Sequence, residues 1–239
     1  MVEERLTLLL LPGMDGTREL FAEFVRSLPG WIELRLVVYP RDRKLSYDQL
    51  LPIVASAVPA NKTFVVLAES FSTPLAVRLA AEKPNRLLAL VLCAGFVSPP
   101  SRGVLRRVAI ILAPLLFAFR LPESICQHFL VGDSAPKSLV DGVRATISSV
   151  SVGVLAHRLR SVLSCTGKRE LCAVSIPLLY LLGLEDRLVH RFSFDEIQQA
   201  KPDARLASVE APHLILQAKP REASEVVIRF LQQVHGEPS

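Results

Sequence analysis

A chain of 239 residues can hold one sizeable α/β domain with room for an insertion. Half of it is hydrophobic, so a large apolar surface must be buried. The net charge of +5 comes from scattered basic residues with no block interleaved with aromatics, which argues against nucleic acid as a partner.

Strand-like and helix-like segments alternate from the start. Leu6–Leu11, polar only at Thr7, reads as a central strand covered on both faces. The turn PGMDGT and a helical pattern through Phe21, Phe24, Val25 and Leu28 follow. Leu34–Tyr39 is a second strand, Tyr47–Val58 a helix, Thr63–Ala68 a third strand, Thr73–Glu82 a helix and Leu87–Ala94 a fourth strand. This rhythm predicts a mostly parallel, doubly wound sheet. After Gly95 it breaks: residues 97–174 show no convincing strand but helical stretches at Val104–Phe119, Ser124–Phe129 and Ser138–Leu163. It resumes with a strand at Pro177–Gly183, a helix at Phe194–Ala200, a strand at Arg205–Val209 and a helix at Glu222–Val234. The expectation is a core of residues 1–96 and 175–239 with a helical cap or lid inserted at 97–174.

The four cysteines, Cys93, Cys126, Cys165 and Cys172, have no metal-ligand spacing and outline no disulfide framework. A reduced, cytoplasmic setting without metal or cofactor is therefore expected. The beginning MVEERLTLLLLPG carries acidic residues and reaches a turn too soon for a secretion signal. Val108 to Phe119, interrupted by Pro114, is too short to span a bilayer.

The chemistry centres on Ala68-Glu69-Ser70-Phe71-Ser72, a small-x-Ser-x-small run where the third strand turns into a helix. A nucleophile elbow needs that context, with small residues on each side because bulk would collide with neighbouring backbone. The same residues also suit a plain helix cap, Ser70 or Ser72 capping the helix near Thr73. A serine hydroxyl needs a base within hydrogen-bond reach, itself oriented by a carboxylate. Asp186, in the loop after the fifth strand, and His213, in the loop after the sixth, supply these in the order Ser, acid, His. Both sit at strand carboxyl ends, where open α/β sheets build their sites. Asp186 is preferred to its neighbour Glu185. His128 and His157 fall in the insertion, His190 is four residues from Asp186, and His235 lies in the tail.

An oxyanion hole needs backbone N–H groups. Phe71, which follows the nucleophile, would supply one and Met14, in the turn after the first strand, the other. Gly13 and Gly16 give that turn its freedom, although Asp15-Gly16 also suits an ordinary strand-to-helix turn.

The turn LLLLPGMDGT, the elbow AESFS, the acid loop GLEDRLV and the histidine loop APHLILQAKP together resemble α/β-hydrolase-fold enzymes, particularly small microbial carboxylesterases, over the whole chain except the insertion. The resemblance implies an eight-stranded sheet of which this chain lacks the first two strands, leaving about six. Ala68 and Ser72 stand where the family carries glycines, and Pro12-Gly13 where it usually has His-Gly. LPGMDG with a downstream ESF elbow is also similar to the hydrolase-like part of plant phytyl-ester-forming acyltransferases.

The expected function is hydrolysis of small to medium acyl esters through an acyl-enzyme on Ser70. Acyl transfer or thioester hydrolysis with the same residues, or a silent hydrolase-like binding protein, are the alternatives. Within the insertion, Leu112, Leu116 and Phe117 are candidates to line an acyl pocket. Arg102, Arg106, Arg107 and Arg120 flank that apolar run, so contact with a membrane or lipid surface is a further reading. The partner otherwise expected is a small-molecule ester.

Overall fold

Strands with apolar side chains on both faces must lie between two covering layers, and the leucine- and valine-rich runs of this chain do. The computed structural model describes residues 5–100, 117 and 121–235. Strands β1 (Leu6–Leu11), β2 (Ile32–Leu36), β3 (Phe64–Glu69), β4 (Leu87–Cys93), β5 (Leu178–Gly183) and β6 (Arg205–Val209) form one six-stranded sheet of order β2-β1-β3-β4-β5-β6. Every neighbouring pair is parallel. Helices α1 (Ala22–Arg26), α2 (Tyr47–Ser56) and α3 (Thr73–Ala81) lie among the first four strands. Between β4 and β5 come α4 (Glu123–Cys126), which runs on as a wider helical turn over Gln127–Val131, then α5 (Lys137–Ser148), α6 (Val152–Ser164) and α7 (Lys168–Cys172). Helix α8 (Phe192–Ala200) joins β5 to β6, and α9 (Ile215–Ala218) and α10 (Pro220–His235) follow β6.

Alternation along the strands assigns the two layers. Leu9, Leu11, Val66, Ala68, Leu90 and Leu92 pack with Leu50 and Val54 of α2, Leu75 of α3 and Ile197 of α8. Leu8, Leu10, Val65, Leu67 and Val91 pack on the other face with Phe24 of α1 and with Val227, Phe230 and Leu231 of α10. Each such leucine, fully removed from water, contributes about 1.5–3 kcal/mol. Among the described residues no single helix is long and apolar enough to cross a membrane.

Two sequence expectations are corrected. Strand β2 occupies Ile32–Leu36, not Leu34–Tyr39. Val37 and Tyr39 are buried, but after the Val37 amide bonds the Leu10 carbonyl, Tyr39 turns to bond the Gly16 carbonyl in the loop after β1. At Tyr39 the apolar pattern records burial, not sheet pairing. The stretch 138–163 is also two helices, bent by 97°. Ser151 causes the break: its side chain accepts the Val154 amide and starts α6 afresh.

Because β1 lies between β2 and β3, the winding direction reverses there, and the loops after β1 and β3 diverge at the carboxyl edge. Open α/β sheets form their crevices at such reversals.

Candidate active site

At the end of β3 the chain turns sharply at Ser70, whose φ is 44°. A non-glycine residue in the left-handed region is disfavoured by contact between Cβ and the following carbonyl, so neighbours must hold it there. Several do. Thr73 Oγ1 donates to the Ser70 carbonyl at 2.8 Å and accepts the Phe96 amide at 3.1 Å. Ser72 Oγ donates to the Pro12 carbonyl and meets the Tyr39 hydroxyl at 2.7 Å. The capping reading fails for its side chain, which ties the turn to the β1 loop and makes no cap hydrogen bond. Ser46 and Gln49 form a reciprocal capping box that begins α2 at Tyr47. From that first turn the Tyr47 hydroxyl donates to the Phe71 carbonyl at 2.9 Å and its ring stacks on Phe71 at 5.0 Å.

The loops after β5 and β6 are laced together. The amides of Leu184 and Glu185 bond the carbonyls of Val209 and Ala211. Gly183 permits this approach, since a Cβ there would lie 2.6 Å from the Ala211 oxygen. Asp186 is buried, and its Oδ1 accepts the amides of Leu188 and Val189 at 2.8 and 2.9 Å. Its Oδ2 is then left for His213 Nδ1, at 2.8 Å. His213 Nε2 lies 2.9 Å from Ser70 Oγ. The three residues named from sequence thus form one hydrogen-bonded run, while Glu185 is exposed. Burial opposes a charged imidazole, but the charge and hydrogen bond of Asp186 outweigh it and raise the His213 titration above its ordinary value.

Met14 is half-buried in the loop after β1. The loop has the features of an ordinary turn: Asp15 Oδ2 accepts the Thr17 amide at 2.9 Å, and Gly16 has φ of 71°. The loop rests on a residue the sequence reading passed over. Arg158 of α6, only 2% exposed, donates through Nη1 to the carbonyls of Met14 and Asp15 and through Nη2 to that of Pro40. It occupies the apolar stripe Val154–Arg158–Val162, and a charged residue on such a stripe was the available signal.

Glu69 was also passed over, although a carboxylate ending an otherwise apolar strand is conspicuous. It is fully buried; Gln217 donates to its Oε2 at 3.3 Å, and its Oε1 has no partner. Burial first, and the nearby Asp15 carboxylate second, push its titration up to about 7. Asp15 is raised too, mainly by burial.

Of the apolar candidates, Phe117 is half-buried and packs with Met14 against Val150, Val154 and Leu155. Leu112 and Leu116 lie outside the described residues. His128 is exposed beside Arg187, and His190 and His235 are exposed elsewhere. No group of three or more His, Cys, Asp or Glu residues that could hold a metal occurs among the described residues.

No protein-family model matches the chain, and no curated protein matches it in sequence. Its similarities are to solved structures. A hydrolase from Oleispira antarctica superposes with a TM-score of 0.80 at 13% identity, over 96% of this chain and 91% of that one. An enol-lactonase from Burkholderia xenovorans gives 0.78 at 16%, over 95% and 91%. A thermophilic esterase from Thermogutta terrifontis gives 0.77 at 19%, over 96% and 90%. At these identities the likeness establishes the architecture: the chain has the α/β-hydrolase fold.

Proposed function

We propose that the protein is a serine hydrolase that cleaves carboxylic esters through an acyl-enzyme on Ser70. The observation that carries this is the continuous run Ser70 Oγ–His213 Nε2 at 2.9 Å and His213 Nδ1–Asp186 Oδ2 at 2.8 Å. Ser70 Oγ attacks the ester carbonyl as His213 Nε2 takes its proton. Asp186 stays ionised and stabilises the imidazolium. The amides of Met14 and Phe71 hold the oxygen on which negative charge collects, an arrangement in which each donor is worth about 100- to 1000-fold in rate. His213 returns its proton to the departing alcohol, then activates water to release the acid. The base works as neutral imidazole, so activity rises with pH through the elevated His213 titration.

In this reading the helical segment between β4 and β5 is a cap, and the apolar cluster of Phe117, Met14 and Val154 belongs to the acyl pocket. Small to medium acyl esters suit such a lining. The named hydrolase, esterase and lactonase of the same fold support this reaction class.

The test is turnover of p-nitrophenyl esters from acetate to laurate by wild type and Ser70→Ala. The wild type should show a chain-length optimum, and the folded variant should lose about a million-fold in kcat. Full activity in Ser70→Ala would remove the serine from the reaction, and silence of the wild type on every ester would remove ester hydrolysis.

A further inference from the structure

A buried guanidinium needs a reason, because an apolar side chain of similar volume fills a core without the desolvation cost. Among the described residues Arg158 is one of the largest fully buried side chains, and it lies on α6, far in sequence from the elements it touches. Its Nη1 reaches the Met14 carbonyl at 2.8 Å and the Asp15 carbonyl at 2.9 Å, and its Nη2 the Pro40 carbonyl at 2.9 Å. The guanidinium carbon lies 5.7 Å from the centre of the Tyr39 ring and 5.8 Å from that of Phe71. The turn is moulded around it: a Cβ on Gly16 would fall 2.6 Å from Nη1.

These contacts bear on two particular amides. A peptide unit is planar, and in a trans unit the N–H points opposite the C=O. The Gly13 carbonyl is engaged by the Gly16 amide at 3.0 Å, which fixes the plane carrying the Met14 N–H. The next plane, carrying the Met14 carbonyl, is fixed by Arg158. Both planes flanking Met14 are therefore held, the second by one side chain. The same guanidinium lies against the ring of Phe71, whose amide shares a plane with the Ser70 carbonyl that Thr73 Oγ1 bonds at 2.8 Å.

We infer that Arg158 is a positioning residue for oxyanion binding: by its bonds to the Met14 and Asp15 carbonyls it holds the peptide planes that follow the Met14 amide, and by its contact with the Phe71 ring it braces the residue that supplies the second amide. It touches no reacting atom and acts through the backbone. The inference rests on the proposed serine-hydrolase reading and deepens it. Catalysis becomes dependent on a side chain from the segment between β4 and β5, so that segment contributes more than a cover.

The experiment compares wild type, Arg158→Ala, Arg158→Lys and Ser70→Ala on p-nitrophenyl butyrate. Melting temperatures and the affinity for butylboronic acid, which forms a tetrahedral adduct with an active serine, are measured alongside. In Arg158→Ala kcat should fall about 100-fold with KM little changed, as for loss of one oxyanion donor. Boronate affinity should fall in parallel, and millimolar methylguanidine should restore part of the lost kcat. Arg158→Lys, which keeps the charge but not the fork, should lose less, again in kcat. Wild-type kcat and boronate affinity in either folded Arg158 variant, with only the melting temperature lowered, would reduce Arg158 to a structural role. Should Arg158→Ala fail to fold, Arg158→Lys decides alone by the same two readouts. If wild type turns over, Ser70→Ala is dead and the Arg158 variants behave as wild type, this inference fails alone. If wild type shows no Ser70-dependent turnover, the serine-hydrolase reading fails and takes this inference with it.

Discussion

On the β1–β3 side of the sheet the site is made of backbone. Ser70 is held at a disfavoured φ of 44°, and carbonyls of the β1 loop and the elbow are bonded by Ser72, Tyr47 and Arg158. On the β5–β6 side it is made of side chains: Asp186 and His213 sit in loops laced to each other, and their relation is a single charge-assisted hydrogen bond. The two buried carboxyls near His213 make the same contrast. Asp186 accepts two backbone amides as well as the imidazole. Glu69, next to Ser70, has one oxygen without a partner, and burial together with the charge of Asp15 makes it hold its proton up to about pH 7.

The sharpest way to break this comparison is Asp186→Asn. The amides of Leu188 and Val189 keep the side-chain oxygen, so the new NH₂ faces His213 Nδ1 and forces the proton onto Nε2. A fall of about ten-thousand-fold in kcat is expected, measured on the same esters, with the fold retained. A loss below tenfold would mean that Asp186 does not set the tautomer.

Glu69→Gln should act through titration more than through rate. Glu69 helps to raise His213, so its neutral replacement should move the acidic limb of the pH–rate profile to lower pH. An unmoved limb would uncouple the two groups. The same variant tests stability. Folded Glu69 holds its proton to about pH 7, whereas the unfolded carboxyl releases it near 4.5. The folded state thus binds more protons in that window, and Glu69 makes stability fall as pH rises through it. In Glu69→Gln, melting temperatures between pH 4.5 and 7 should lose that share of the slope.

The smallest effect concerns the backbone of the elbow. Ser70→Gly and Ser70→Ala both remove the hydroxyl, but only glycine is at ease at φ of 44°. Ser70→Gly should be the more stable by up to about 1 kcal/mol in denaturant titration. The reverse order would mean the turn is not strained.

Much of this was legible because it is local. An elbow is five consecutive residues at a strand end, Asp186 follows the apolar strand β5, and His213 sits in the loop after β6. The sheet was legible because two-sided burial writes continuous apolar runs, as in Leu6–Leu11. What escaped depends on contacts between distant segments. Arg158 looked like one basic residue in a helix until the carbonyls of Met14, Asp15 and Pro40 were brought to it, and Glu69 passed as the unspecified position beside the serine. Tyr39 misled for the same reason, since its amide bonds the loop after β1 rather than a neighbouring strand.

The junction between β4 and β5 has a consequence for how the molecule comes into being. They pair, and the bond from Tyr180 to the Gly95 carbonyl joins positions 85 residues apart. Closing so long a loop is slow compared with forming the contacts inside either side of the sheet. Ser70 and the amides of Met14 and Phe71 belong to one side of that seam, and Asp186 and His213 to the other. In the proposed reaction, a chain that has folded only β1–β4 therefore has a nucleophile without a base. Recovery of ester turnover after dilution from denaturant would time the closing of that seam, whatever the rest of the chain had already done.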